Sequence, residues 1–346
     1  MHGKEQKKTE IKELGEFGLI ERLTKSFTSK NPNTIKGIGD DAAVIDNGDH
    51  LTVVSTDLLI EGIHFDLMYT PLKHLGYKAV VVNLSDIYAM NAIPQQITVS
   101  IAVSSRFSVE AIEEIYAGIQ AACDFYQVDL VGGDTSSSGK GLLLSVTAIG
   151  RGNLDWITYR SGASVGDILC ITGDLGAAYI GLQILEREKQ IFLSQPGVQP
   201  DLEEQSYIIG RQLKPEARRD MVALFHKTNL VPTSMIDVSD GLASDLIHIC
   251  KQSGLGAYIE ETGVPIHPQT QMMAIKFNMD PITCALSGGE DYELLFTISP
   301  KDLPRVRLMP DIYIMGEMVK EKEGINLHTK EGKMHPITAQ GWLHFE

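Results

Sequence analysis

The segment that most limits the possible folds of this chain is residues 37–43, Gly-Ile-Gly-Asp-Asp-Ala-Ala. Its spacing matches G-x-G-x-x-A loops, which lie between a strand and a helix and hold a pyrophosphate on bare backbone N–H groups. Here residues 31–33 (Asn-Pro-Asn) precede it, and a strand-like run, 42–45, follows it. Two carboxylates about 4 Å apart repel each other by about 1 kcal/mol in water and about 4 kcal/mol near a protein surface. Asp40 and Asp41 would therefore reject a phosphate unless a cation lay between, which argues against a dinucleotide-binding loop.

Length and charge restrict the architecture and the partners. A chain of 346 residues exceeds one typical hydrophobic core, so we expect two domains. Its 30 Lys and Arg against 45 Asp and Glu give a net charge of −15, which argues against nucleic acid or an anionic membrane as main partner. Anionic small substrates remain compatible if metal ions neutralise them.

The remaining composition predicts a cytoplasmic protein. No apolar run approaches the roughly 20 residues of a membrane span. The chain starts without a signal peptide, and its four cysteines are widely spaced, which predicts reduced, buried thiols. These cysteines are Cys123, Cys170, Cys250 and Cys284.

Hydrophobic periodicity predicts alternating strands and helices, as in an α/β fold. We expect a flexible arm over 1–14, an N-terminal α/β domain over 15–150 and a C-terminal α/β domain over 151–346. The predicted strands are 51–57, 96–103, 128–131, 142–149, 167–172, 234–237, 257–260 and 292–298. The predicted helices are 71–87, 108–125, 175–188, 215–227 and 241–252. A surface loop is expected at 188–204, a strand break at Gly132 and Gly133, and a short tail after residue 298.

Further aspartates follow apolar runs or lie in glycine-containing turns, where ligand sites of α/β proteins gather. Asn83 and Asp86 share one helical face at i, i+3 spacing. Oxygen donors without His or Cys are typical of Mg²⁺ sites. Each position alone has a structural explanation, such as a helix cap or a turn, so the inference depends on their joint placement. These positions are Asp57, Asp86, Asp134, Asp237 and Asp240.

Eight motifs in a fixed order resemble the thiamine-monophosphate kinases of the aminoimidazole ribonucleotide synthetase superfamily. They are GIGDDA (37–42), STD (55–57), GIHF (62–65), VNLSD (82–86), GGDT (132–135), RSG (160–162), DVSDGL (237–242) and SGGEDYEL (287–294). The resemblance extends from residue 15 to the C-terminus. It implies a mixed N-terminal sheet with helices, a C-terminal α/β sandwich, a homodimer formed by the N-terminal sheets, and nucleotide bound between the halves.

The resemblance also implies ATP-dependent phosphorylation of thiamine monophosphate to thiamine diphosphate with several Mg²⁺ ions. The implied metal ligands are Asp41, Ser55, Thr56, Asp57, Asp86, Asp134, Asp237 and Asp240. The implied nucleotide contacts are Gly133, Asp134, Arg160 and Ser239. The implied thiamine contacts are His64, Glu290 and Trp342, and a cationic thiazolium gives an acidic or aromatic side chain a reason to be there. Asp40 is left as a partner of a ligand or a turn residue.

Two residues depart from the family pattern. Asn91 replaces a usual glycine, which Asn can do if the backbone is left-handed there. Ala217 replaces a usual proline. Neither is an implied ligand, so both concern local geometry.

The residues suggest a mechanism without a dedicated general base. A phosphate monoester has a second pKa of about 6, so the acceptor is already anionic near neutral pH. We therefore expect direct in-line transfer, with metal ions and Arg160 neutralising the two polyanions. Three alternatives remain: another ATP-dependent synthetase of the superfamily, a metal-dependent phosphatase, and a non-catalytic ion-binding protein.

Overall fold

The computed structural model describes residues 10–11, 14–197 and 202–338. Two mixed β-sheets with flanking helices occupy this part of the chain, so the predicted α/β class is confirmed. Trp342 and most of the predicted arm over 1–14 lie outside the described residues. The division at residues 150 and 151 stays a prediction, although the first sheet ends at Gly152 and the second begins at Ile168.

The described residues form thirteen strands and ten helices. The strands are Thr34–Lys36 (β1), Ala43–Asp46 (β2), Leu51–Ile60 (β3), Ile93–Val103 (β4), Asp129–Ser137 (β5), Leu143–Gly152 (β6), Ile168–Thr172 (β7), Ser234–Asp237 (β8), Leu255–Glu260 (β9), Leu294–Ile298 (β10), Ile312–Lys320 (β11), Ile325–His328 (β12) and Met334–Pro336 (β13). The helices are Gly15–Thr24 (α1), Leu72–Ala89 (α2), Val109–Tyr126 (α3), Ala177–Ser194 (α4), Ser206–Leu213 (α5), Arg219–Thr228 (α6), Leu242–Ser253 (α7), Pro268–Lys276 (α8), Pro281–Ser287 (α9) and Leu303–Val306 (α10).

The first sheet has the order β1-β2-β3-β6-β4-β5, and only its last pair, β4 and β5, is parallel. Strand β3 alternates between buried residues such as Val53, which face the core, and residues such as Leu58 on the opposite, more exposed face. This period of two is expected for a sheet covered on one side. Helix α2 packs on the covered side against β3, β4 and β6.

Helices α2 and α3 approach each other closely because each has a glycine at the crossing. A Cβ atom on Gly76 would lie 1.9 Å from the Ile115 carbonyl oxygen, and one on Gly118 would lie 1.9 Å from the Lys73 carbonyl oxygen. Neither distance is sterically possible, so both positions require glycine. The close crossing holds α2 inside the molecule, where most of its residues are buried.

The second sheet has the order β13-β12-β9-β11-β7-β10-β8, with helices on both faces. Cys170 of β7 packs in the same cluster as Phe225 of α6, whereas its neighbour Ile171 packs with Leu246 of α7. This arrangement is the expected α/β sandwich. The four cysteines are buried and free, as predicted. No described helix has the length and apolar character needed to cross a membrane.

Several local predictions are confirmed. Helix α2 begins directly after Pro71, and Ser108 caps α3 by accepting a hydrogen bond from the Ala111 N–H. Asn91 has φ of 54°, so the backbone there is left-handed, the conformation in which Asn can take the place of glycine. As expected for a segment that is not a dinucleotide-binding loop, residues 37–43 lead into strand β2 and not into a helix, although the short strand β1 precedes them.

Other predictions were wrong. Strand β5 does not break at the glycines but continues through Gly132, Gly133 and Asp134, because its parallel pairing with β4 extends along all of them. Helix α4 continues to Ser194, which shortens the predicted loop over 188–204. The predicted tail after residue 298 contains α10 and strands β11 to β13, which complete the second sheet.

Candidate active site

Three carboxylates from distant parts of the chain meet between the two sheets. Asp41 precedes β2, Asp86 lies in the last turns of α2, and Asp237 ends β8. Each contributes an oxygen atom, and these atoms lie within 4.8 Å of one another. All three side chains line a cavity of about 660 Å³. The predicted gathering of aspartates is therefore present for these three residues.

Neighbouring polar groups fix the orientation of these carboxylates. Ser55 Oγ donates a hydrogen bond to Asp86 Oδ2, and Ser85 Oγ donates one of 2.6 Å to Asp237 Oδ2. Asn83 accepts a hydrogen bond of 2.9 Å from the Asp57 N–H and donates one of 3.0 Å to the Ala79 carbonyl. Asn83 thus fixes the backbone of Asp57 from helix α2, which explains its place beside Asp86 in the sequence.

Burial and mutual repulsion favour the protonated form of the three carboxyl groups. Burial raises the pKa of Asp41 to about 7, although the Arg160 guanidinium opposes this shift. Burial raises the pKa of Asp237 to about 6, and burial followed by the charges of Asp57 and Asp237 raises that of Asp86. Asp41 Oδ2 is buried and accepts no hydrogen bond from any described residue. Carboxylate oxygens that repel one another in this way suit a hard divalent cation such as Mg²⁺.

The adjacent residues Asp40 and Asp41 have different partners. Arg160 binds Asp41 Oδ1 through Nε at 3.0 Å and Nη2 at 2.5 Å. Asp40 instead accepts a hydrogen bond of 3.0 Å from the Arg160 backbone N–H and pairs with Lys36 Nζ at 2.8 Å. Asp40 therefore holds the backbone of Arg160 while Asp41 holds its side chain.

The cavity continues to the residues implied as thiamine contacts. His64 and Glu290 line the same cavity as the three carboxylates. His64 Nδ1 accepts a hydrogen bond of 3.0 Å from the Ile60 N–H. Glu290 Oε1 forms an ion pair with Lys78 Nζ at 2.8 Å, and Glu290 Oε2 accepts a hydrogen bond of 2.7 Å from Gln212 Nε2.

Sequence reasoning missed Lys78 and Gln212. A lysine on a helix is usually solvated, so the sequence did not predict Lys78 as a site residue. The available signal was that the residues next to it in the predicted helix, 75–77 and 79–82, carry no other charged side chain and are mostly apolar, which leaves this part of the helix no solvent-facing stripe. The sequence carried no comparable signal for Gln212.

The other implied site residues divide into two groups. Ser55, Thr56, Asp57, Arg160, Ser239 and Asp240 also line the cavity. Gly133 and Asp134 do not, because they lie in the exposed edge strand β5. A Cβ on Gly133 would lie 1.8 Å from the Val99 carbonyl oxygen, so strand packing alone requires this glycine. Trp342 lies outside the described residues.

Comparison with known proteins first defines the class. The family model described as "AIR synthase related protein, N-terminal domain" matches residues 39–152, which include strands β2 to β6 and Asp41, Asp86 and Asp134. With two mixed sheets and carboxylates between them, the chain has the architecture of the AIR synthase-related proteins.

Relatives of similar length then identify the family. A thiamine-monophosphate kinase of Aquifex aeolicus is 35% identical over 97% of this chain and 99% of the relative. The thiamine-monophosphate kinase of Bacillus subtilis is 35% identical over 96% of this chain and 100% of that relative. A solved structure described as "AaThiL complexed with AMPPCP and TMP" superposes with a TM-score of 0.84 at 32% identity, covering 98% of this chain and 100% of that one. The chain belongs to the thiamine-monophosphate kinase family.

Proposed function

We propose that this protein transfers the γ-phosphoryl group of ATP to the phosphate of thiamine monophosphate, which yields thiamine diphosphate and ADP. The observation that carries the proposal is one cavity of about 660 Å³ that contains the three-carboxylate cluster together with His64 and Glu290. The family membership supports it, as does the solved relative, whose ligands are the ATP analogue AMPPCP and TMP.

We propose that Asp41, Asp86 and Asp237 form the centre of a Mg²⁺ site. The short distances between their oxygen atoms and the unpartnered Asp41 Oδ2 support this choice. The other proposed ligands are Ser55, Thr56, Asp57 and Asp240, which line the same cavity, and Asp134, which lies outside it on β5. Several ions are needed for so many oxygen donors. Bound Mg²⁺ would neutralise the phosphate oxygens and align donor with acceptor.

The protein's own residues would bind and orient the two substrates. We assign Gly133, Asp134, Arg160 and Ser239 to the nucleotide, and His64, Glu290 and Trp342 to thiamine monophosphate. Arg160 is fixed through both its backbone and its side chain, so its guanidinium is already oriented beside the carboxylates. The acceptor phosphate is anionic near neutral pH, so direct transfer requires no general base and no phosphorylated protein.

We further propose a homodimer that acts in the cytoplasm. Helix α2 packs on one face of the first sheet, and the opposite face exposes residues such as Leu58. Its edge strand β5 is exposed along its whole length and carries the apolar residues Leu130 and Val131. An exposed apolar edge of this kind favours association with a second chain. The four free, buried cysteines are compatible with a reducing compartment.

Product analysis tests the reaction. The protein is incubated with Mg·ATP and with thiamine monophosphate, thiamine or no acceptor, and ADP and the thiamine esters are quantified chromatographically. We expect equal amounts of ADP and thiamine diphosphate with the monophosphate and neither product with thiamine. Release of free phosphate would indicate a phosphatase, and phosphorylation of thiamine itself would overturn the proposal. A phosphorylated protein after incubation with ATP alone would contradict direct transfer.

A further inference from the structure

A buried lysine lies in the wall of the proposed active site. Lys78 on α2 is 3% exposed. Its Nζ forms an ion pair with Glu290 Oε1 at 2.8 Å and donates a hydrogen bond of 3.2 Å to the Gln212 carbonyl oxygen. An ammonium group has three N–H donors, and the described residues occupy two of them. Because Lys78 lines the cavity, its third donor is available to a ligand there.

The carboxylate of Glu290 is held equally firmly but keeps acceptor capacity. Its two oxygens contact Lys78 and Gln212, and the backbone N–H of Glu290 donates a hydrogen bond of 2.7 Å to the Ser239 carbonyl oxygen. The residue has φ of 58°, a left-handed conformation that is strained for a non-glycine residue and is typical of functional sites. Each carboxylate oxygen has two lone pairs, so Glu290 can accept another hydrogen bond from the cavity.

Helix α2 sets the distance between this pair and the carboxylate cluster. Lys78, Val82 and Asp86 all line the cavity at positions i, i+4 and i+8, which lie along one side of a helix. With a rise of 1.5 Å per residue, Lys78 and Asp86 are about 12 Å apart along the axis. The wall therefore presents a metal-ligating carboxylate, then an apolar side chain, then the Lys78–Glu290 pair.

We propose that Lys78 and Glu290 together recognise the aminopyrimidine ring of thiamine monophosphate, and not its thiazolium ring. The inference rests on the proposed function. The phosphate of this substrate is attached on the thiazolium side, so the aminopyrimidine is the ring farther from the phosphate and from Asp86. The thiazolium would then lie beside Val82.

Charge and hydrogen bonding both favour this assignment. A lysine paired with a glutamate has no net charge, so the pair gives a cationic ring little attraction. The 4-aminopyrimidine edge is neutral and presents an amino donor next to a ring-nitrogen acceptor. Glu290 supplies the matching acceptor and Lys78 the matching donor. Lys78 and Glu290 thereby become specificity-determining residues of the acceptor site.

Two acceptors that share the thiazolium test the assignment. In oxythiamine monophosphate a carbonyl replaces the amino group and the adjacent ring nitrogen carries a proton, which reverses donor and acceptor. We expect the wild-type protein to phosphorylate thiamine monophosphate with a kcat/KM at least about 100-fold higher, because a site built for one hydrogen-bonding pattern leaves its groups unpaired with the other. Equal kcat/KM values for the two acceptors would overturn the inference without any variant.

Substitutions of Lys78 and Glu290 test whether these side chains cause the preference for thiamine monophosphate over oxythiamine monophosphate. Lys78→Met should raise the KM for thiamine monophosphate about tenfold, the effect of one lost hydrogen bond to a charged group, and should leave the KM for ATP unchanged. Lys73→Met is the matched control, because Lys73 is exposed on the same helix, and it should change neither KM. Glu290→Gln, which keeps the shape and can donate to a carbonyl, should reduce the preference between the acceptors at least tenfold.

The outcomes are separable. If Glu290 instead recognises the thiazolium cation, Glu290→Gln will lower kcat/KM equally for both acceptors, and the inference fails. If Lys78→Met does not fold, Glu290→Gln and the wild-type comparison still decide. A wild-type protein that phosphorylates neither acceptor refutes the proposed function itself, whereas one that phosphorylates both equally refutes only the recognition of the aminopyrimidine.

Discussion

At the residue scale, two adjacent aspartates coexist because each has its own cation and its own task. Asp40 pairs with Lys36 and holds the Arg160 backbone, while Asp41 pairs with the Arg160 guanidinium. Asp41 keeps one oxygen free of hydrogen bonds from the described residues. The pair thus supports an oriented arginine on one side and leaves one carboxylate oxygen for the proposed metal site on the other, which a bare-backbone phosphate loop could not do.

Asp86→Asn should separate activity from stability. We expect kcat to fall by roughly 10³-fold or more, because a carboxylate ligand of the proposed metal site is lost. Metal-free protein should instead become more stable by roughly 1 to 3 kcal/mol at pH 8.5, since a half-buried charge that neighbouring carboxylates repel is removed. The measurements are the rate of ADP formation and urea unfolding in EDTA. Asp155→Asn, at an exposed position, is the control and should change neither.

The stability gain should depend on pH in a defined direction. Burial and neighbouring carboxylates raise the folded-state pKa of Asp86 above its usual value of 3.8. The folded protein therefore binds this proton more tightly than the unfolded chain, and wild-type stability decreases as pH rises through that range. The advantage of Asp86→Asn should accordingly be smaller at pH 5 than at pH 8.5. A variant less stable than wild type at both values would show that Asp86 has a structural role instead.

At the element scale, the sequence predicted best where local chemistry decides. Ser108 predicted a helix start because its side chain can cap a helix, and Pro71 did so because its ring fixes the backbone angle φ. The position of Asp237 at the end of a predicted strand placed it at the edge of the sheet where ligand sites gather. Strand β5 was predicted wrongly because glycines usually weaken strands, whereas here close parallel packing against Val99 requires Gly133. Pairing between distant strands is not encoded locally, and for the same reason strands β11 to β13 were not predicted.

Gly118→Ala should destabilise the crossing of helices α2 and α3. The added Cβ would lie 1.9 Å from the Lys73 carbonyl oxygen, so the helices must separate, at a cost of about 1 to 3 kcal/mol or more. Gly210→Ala on helix α5 is the matched control, because its Cβ would meet no atom within 4 Å and alanine favours a helix by about 1 kcal/mol. Urea denaturation should show opposite shifts in midpoint. A neutral Gly118→Ala would mean that the crossing adapts without loss.

At the scale of the whole molecule, helix α2 connects the two sheets and carries a large share of the site. Tyr77 of α2 and Tyr126 of α3 both donate to Glu216 Oε2, at 2.6 and 2.7 Å, and Ser85 reaches Asp237. These contacts join residues that lie at least 90 positions apart in sequence. The positions of Asp41, Asp86 and Asp237 therefore depend on how the two sheets pack. The sequence could name these residues individually, but only the assembled fold shows which oxygen atoms face one another.

Val131→Lys should convert the proposed homodimer into monomers. Val131 is 57% exposed on the edge strand β5, and a lysine on a sheet edge opposes pairing with another chain through charge and solvation. Size-exclusion chromatography with light scattering should give twice the chain mass for the wild type and one chain mass for the variant. Val109→Lys is the matched control, because Val109 is 70% exposed at the start of helix α3, away from the sheet edge, and it should leave the dimer intact. A monomeric wild type would refute the dimer, and a dimeric Val131→Lys would exclude β5 from its interface.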